Sequence, residues 1–464
     1  MANIGKLFRS AGTYFLGNVL TRLISFFLLP IYTEYIAKGD LGYFDVSTTY
    51  LNVLVPVLCL EVWAGIMRYM FDFEDREEKY KVIFNGMVIF TGSVAVYTLL
   101  FSLLGVIGDI HCAVLIFFYG VLLMLQNLYT YLARGLGHSG AFAVSGIVSG
   151  LVNALSNIVM ILVFGMRLES LYIAMILGLL VQMLILESRV QILRNVRFPM
   201  FNRSLIGSMI RFSLPLCLNS ACFWFLSSYN KVGISQTLGL EANGIYTVAG
   251  KFTMMVAIVA NCFSLAWQEM VYSLGNDGEN KPRLYSTATN YCITFLLFGE
   301  LLIIPAVHVI FPFFVDPAYN AAYSLVPLYM FATAISTFCS FLGNIFGAEK
   351  NTRVVFYSAI AGAVVNVAVF HGLVGVLGLE AANIGLALGY VINILVRLAV
   401  LKRAYPIRLQ YGRILFVLLL NVPVFYVYLT QGLWANIAIF CGIGIIMVFM
   451  FRDTVKAVFR KLRG

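Results

Sequence analysis

Apolar residues run in unbroken stretches of about twenty, one after another, along almost the whole chain, and charged residues gather in the short gaps between them. A hydrocarbon core about 30 Å thick needs roughly 20 apolar residues to cross it as a helix. Only helices and closed barrels satisfy their backbone groups in lipid. Barrel strands alternate apolar and polar residues, whereas the runs here are continuous, so a barrel is excluded. The pattern predicts an all-α integral membrane protein with about fourteen transmembrane helices. The expected spans are 10–31, 43–67, 82–107, 112–133, 142–164, 171–188, 212–234, 243–268, 285–311, 321–347, 354–377, 381–401, 414–430 and 434–451. Those holding Lys231 and Lys251 are the least clean. The first run is long and lacks a small-residue cleavage site, so it reads as a retained span rather than a signal peptide.

Composition agrees. Of 464 residues, 61% are hydrophobic and 11% are charged, where a soluble domain carries about 25% charged residues. Mean hydropathy is +0.91. The spans use most of the chain, and no remaining stretch is long enough for a soluble domain.

A net charge of +10 raises the question of nucleic acid, and its distribution answers it. Lys and Arg cluster at Lys6 and Arg9, at 68–81, Arg134, 189–211, Lys281 and Arg283, Lys350 and Arg353, 402–413 and 452–463. These are alternate loops and both termini. The opposite loops hold little beyond Lys38 and Arg167. Roughly 25 basic residues against about two is a strong positive-inside bias. It predicts a multi-pass protein of the cytoplasmic membrane with both termini cytoplasmic. The C-terminal Arg452, Lys456, Arg460, Lys461 and Arg463 suit anionic headgroups.

Most of the eight cysteines fall inside spans and no CxxC pair occurs, so they read as packing residues. The four histidines show no metal-ligand spacing. No metal site is expected, and no cofactor beyond a coupling H+ or Na+.

The chain also looks duplicated. Gly42-Tyr43-Phe44-Asp45-Val46 opens the second span, and Gly244-Ile245-Tyr246-Thr247-Val248 opens the eighth. Val152-Asn153 lies in the fifth span and Val365-Asn366 in the eleventh. This gives two lobes of about six helices each, with the same orientation and a pseudo-two-fold axis along the membrane normal. The expected division is 1–188, a basic cytoplasmic linker 189–211, 212–401, and 402–464 holding two extra C-terminal helices and a basic tail. Parallel repeats of this kind suit alternating access.

Ionisable residues within spans are functional candidates. Arg22 sits near the middle of the first span, and its planar fork suits a phosphate. Lys231 and Lys251 either line a cavity or snorkel to headgroups. Asp45, Glu61 and Glu300 either bind a coupling ion or pair structurally. Asn153, Asn157 and Asn366 read as polar cavity or interhelical residues. Pro56, Pro305, Pro327 and Pro423 are candidate bending points. No nucleophile–base constellation and no sizeable outer loop supports an enzyme.

Several segments resemble a known family in order along the chain. They are 18–26 with Leu29-Pro30-Ile31-Tyr32-Thr33 and Asp40-Leu41-Gly42-Tyr43, then 61–69 followed by the charged 72–81, then 244–251, then Asp316-Pro317-Ala318-Tyr319 and Ala348-Glu349-Lys350-Asn351-Thr352. The chain resembles the polysaccharide transporters of the superfamily that also holds multidrug antiporters and lipid-linked-precursor flippases. One departure stands out: where many relatives carry Asp-Arg near the end of span seven, this chain has Asn230-Lys231. The resemblance implies a flippase for oligosaccharides on undecaprenyl diphosphate, serving O-antigen, capsule or exopolysaccharide export. Its partners would be the polyprenyl-diphosphate oligosaccharide, membrane lipids and other polysaccharide-assembly proteins. Arg22, Lys231 and Lys251 favour an anionic substrate over the cationic drugs of the antiporters. A peptidoglycan-precursor flippase is the other alternative.

Overall fold

The computed structural model describes residues 26–108, 110–195, 201–273, 281–349 and 351–463. Among these the ordered elements are helical. The helices are α1 (Leu29–Tyr35), α2 (Lys38–Leu58), α3 (Val62–Met70), α4 (Arg76–Ile107), α5 (Ala113–Gly135), α6 (Ser139–Leu162), α7 (Leu168–Val190), α8 (Ile192–Asn195), α9 (Arg203–Ser227), α10 (Tyr229–Thr237) and α11 (Leu240–Ser273). They continue as α12 (Lys281–Phe314), α13 (Ala322–Ala348), α14 (Thr352–Leu377), α15 (Glu380–Ala404), α16 (Tyr411–Thr430) and α17 (Leu433–Arg463). Eleven are long and apolar enough to cross a membrane, and the bent pair α2–α3 makes a twelfth. Most of the expected first span, Arg22 included, lies outside the described residues. The expected eighth span falls within α11.

Polarity is distributed inside-out. Leu99, Leu155, Leu184, Val364, Val422 and Val448 point outward, while Asn85, Asn157, Gln182, Asn383 and Asn393 are buried. In water this would be an aggregating surface. In lipid it is the expected one, because apolar tails solvate the outside and polar side chains bond helix to helix.

Two expected spans are broken. Between α2 and α3 the backbone of Leu60 and Glu61 enters the left-handed region, at φ 50° and 52°, and the axis bends by 50°. Side-chain-bearing residues rarely adopt this conformation, which marks a strained site. Pro56 lies one turn earlier. The expected span 212–234 likewise breaks at Ser228, between α9 and α10.

The chain divides into two compact units, Met1–Gly244 and Ile245–Gly464. The division falls after the expected linker, because α9 packs on α2, α3 and α4 and remains with the first unit. Each unit repeats a packing pattern. In the first, α7 packs on α5 and α6; in the second, α15 packs on α13 and α14. The same glycine contact appears in both. A Cβ on Gly178 of α7 would stand 2.9 Å from the Ser149 carbonyl, and one on Gly385 of α15 would stand 2.8 Å from the Asn366 carbonyl.

Candidate functional site

Within the first unit, α2 enters at Lys38 with Asp45 two turns along it. Lys231, on the short helix α10, places its Nζ 2.8 Å from the Asp45 carboxylate. The Asn243 amide, near the start of α11, donates to the Gly42 carbonyl at 3.0 Å and approaches the other Asp45 oxygen at 3.4 Å. Side-chain exposure is 28% for Lys231 and 13% for Asp45, so the pair is only partly screened by solvent.

Small residues allow this convergence. A Cβ on Gly42 would overlap the Leu240 carbonyl oxygen, and one on Gly244 would overlap the Lys38 carbonyl oxygen. The contact is reciprocal. Gly42 precedes Gly244, and Lys38 precedes Leu240, by the same interval in sequence, so the repeat-related starts of α2 and α11 cross glycine on backbone. Gly42 and Gly244 were recognisable as a repeat, and this contact is why neither tolerates a side chain.

A second polar group sits at the α2–α3 break. Glu61 accepts from Ser220 Oγ at 2.6 Å and from Trp63 Nε1 at 2.7 Å. Ser220 comes from α9, so the carboxylate joins the broken helix to its neighbour. Tyr131 of α5 packs by Trp63, at 6.4 Å between ring centroids. About 20 Å of helix separates Asp45 from the break, at 1.5 Å per residue.

The remaining candidates are placed elsewhere. Lys251 lies on α11 in the second unit, partly exposed, beyond the stacked Tyr246 and Tyr329 rings, whose centroids are 4.6 Å apart. Glu300 is fully buried on α12, with Asn421 of α16 as its polar neighbour. None of the four ion pairs among the described residues involves it. Asn157 donates to the Asn153 carbonyl at 3.3 Å. Asn153 abuts Gly178, and Asn366 abuts Gly385, across their respective helix pairs.

Arg397 is a further buried charge in the second unit. It is buried on α15, donating through Nε to Ser358 Oγ at 3.0 Å and through its guanidinium to the Cys339 carbonyl. It therefore staples α15 to both α13 and α14. It lies only four residues before the expected span end, and nothing in the sequence sets it apart. At the cytoplasmic end predicted for this unit, Glu349 accepts from Lys281 at 3.1 Å and Tyr285 at 2.6 Å. Burial alone would raise its carboxyl. Hydrogen bonds from Tyr285, Tyr405 and Lys281, with the Lys281 charge, outweigh that and hold it below the ordinary range.

Solved structures share this fold. A lipid II flippase MurJ in an inward closed conformation superposes with a TM-score of 0.73 at 13% identity, covering 95% of this chain and 99% of that one. An inward-facing multidrug resistance MATE transporter gives 0.66 at 18% identity, over 84% and 94%. A transporter of the same MOP superfamily from Pyrococcus furiosus, described by a reversed polarity of its binding pocket, gives 0.58 at 16%, over 85% and 94%. A comparison with curated proteins finds no match. A family model described as "Polysaccharide biosynthesis protein" matches residues 7–267, more than half of the sequence. With its apolar helices, its two repeated units and its buried charges, the chain belongs to the polysaccharide biosynthesis protein family.

Proposed function

We propose that this protein flips undecaprenyl-diphosphate-linked oligosaccharide units across the cytoplasmic membrane, by alternating access, for the export of surface polysaccharide. The observation that carries this reading is the family match over 7–267, because that segment also contains the Asp45–Lys231 and Glu61 groups. A diphosphate–sugar headgroup cannot cross hydrocarbon unaided, so its carrier must supply a polar, cationic route. Arg22 would bind the diphosphate as a bidentate fork, and Lys231 and Lys251 would add charge along the path. While Lys231 is held by Asp45 it is neutralised, so passage of an anion would exchange one partner for another. Glu61, Asp45 or Glu300 would take the coupling H+ or Na+. The chain would perform no covalent chemistry of its own.

The likeness to MurJ favours a second reading, a flippase for the peptidoglycan precursor, which shares the carrier and differs in the sugar. Deleting the gene in its own host separates the two. Polysaccharide export predicts loss of surface polysaccharide, with lipid-linked units retained on the inner leaflet and growth preserved. Restoring the gene as Arg22→Ala should leave that defect in place at normal membrane protein levels. Lysis with arrested peptidoglycan synthesis would replace the first reading by the second.

A further inference from the structure

Outside the charged groups already described, the first unit brings together three metal-binding side chains. His111 and Cys112 end the turn between α4 and α5, and Glu169 lies in the first turn of α7. One donor atom from each lies within 4.8 Å of the other two. The residues are 57 positions apart in sequence or more where Glu169 is concerned, so spacing could not reveal the group.

Two features make this more than a chance meeting of polar ends. First, the turn is held in an unusual conformation: Cys112, the N-cap of α5, has φ 57°. A left-handed backbone at a side-chain-bearing residue is costly and marks positions that the surroundings over-determine. Second, His111 is braced from α2. Tyr43 donates its hydroxyl to the His111 carbonyl at 2.9 Å, and the two rings meet edge to face at 6.1 Å.

We infer that His111, Cys112 and Glu169 form a binding site for a zinc-like divalent cation. A thiolate, an imidazole and a carboxylate together suit a borderline-soft ion, and hard ions such as magnesium or calcium prefer all-oxygen shells. Three protein ligands leave the fourth tetrahedral position to water. Bonds of about 2.0–2.3 Å place donor atoms roughly 3.3–3.8 Å apart. The three groups need therefore close by no more than about 1–1.5 Å, a rotamer-scale movement for the exposed His111 and for Glu169. On binding, the Cys112 thiol releases its proton to solvent and the sulfur bonds the metal. The ion would then tie the α4–α5 turn to the start of α7. Through Tyr43 it would also steady the end of α2 that carries Asp45. This inference does not depend on the transported substrate.

The test uses the purified full-length chain, reduced and washed with chelator, and titrated with zinc alone. One zinc per chain is expected by elemental analysis. Cobalt in place of zinc should give thiolate-to-cobalt charge-transfer absorption. Cys112→Ser should remove that absorption, and Glu169→Gln should weaken binding by about tenfold or more, since loss of even outer-shell partners costs that much. Cys441→Ser, altering an exposed cysteine elsewhere, should change neither. Absence of stoichiometric zinc in the unaltered chain would overturn the proposal, as would a cobalt–thiolate signal that persists in Cys112→Ser.

Discussion

At the scale of single residues, the informative fact is how each intramembrane charge is satisfied. Lys231 finds its counter-charge on another helix rather than beside it in sequence: its neighbour is the uncharged Asn230, and Asp45 supplies the carboxylate. This predicts a specific coupling. Lys231→Ala leaves Asp45 poorly solvated and should cost about 2 kcal/mol, between the limits for exposed and fully buried pairs. The reversed pair, Asp45→Lys with Lys231→Asp, should recover part of the loss in thermal stability. Equal and additive losses in the two single variants, with no recovery in the double, would show that the ion pair contributes nothing. Glu61 illustrates the other solution. It has no cation among the described ion pairs and takes two hydrogen bonds at a helix break instead.

At the scale of elements, close approach depends on glycine where helices cross and on strain where they bend. The starts of α2 and α11 pass backbone against backbone at Gly42 and Gly244. Gly42→Ala or Gly244→Ala must force them apart, disturbing the Asn243–Gly42 hydrogen bond and the neighbouring ion pair. Each should lower stability by about 1–3 kcal/mol, the usual cost of overpacking. Gly105→Ala, on α4 with nothing near its Cβ position, is the matched control and should leave the melting temperature unchanged. If the Gly42 and Gly244 variants melt like the control, the crossing is looser than described. The break at Leu60 and Glu61 had no plain sequence signal. Pro56 marks bending nearby, while at the left-handed pair itself Glu61 meets Ser220 and Trp63.

At the scale of the whole molecule, the inside-out polarity and the charge bias make a topological prediction. The basic loops should face the cytoplasm, because moving Lys and Arg across the membrane is costly. In a cysteine-free background, a cysteine at Lys38 should react with an impermeant thiol reagent applied to intact cells. A cysteine at the exposed Arg194 should react only after the membrane is opened. Labelling of Arg194 from outside would overturn the orientation and the span count together.

The sequence by itself determined the helical membrane class, most of the spans, the duplication and the family. These follow from local hydrophobicity and short ordered motifs, which lipid reads one segment at a time. It also marked Asp45, Glu61 and Lys231 as costly charges. Only the tertiary structure decided which of them meet. Asp45 and Lys231 are joined across more than a hundred and eighty residues, as are Gly42 and Leu240. The boundary between the units moved past the basic linker for the same reason, because α9 buries its side chains against α2, α3 and α4. Arg397 and the His111–Cys112–Glu169 group stayed hidden because neither has a spacing of its own. Pairing between helices depends on shape and on the burial of polar groups in three dimensions, and a one-dimensional apolar pattern carries almost none of that information.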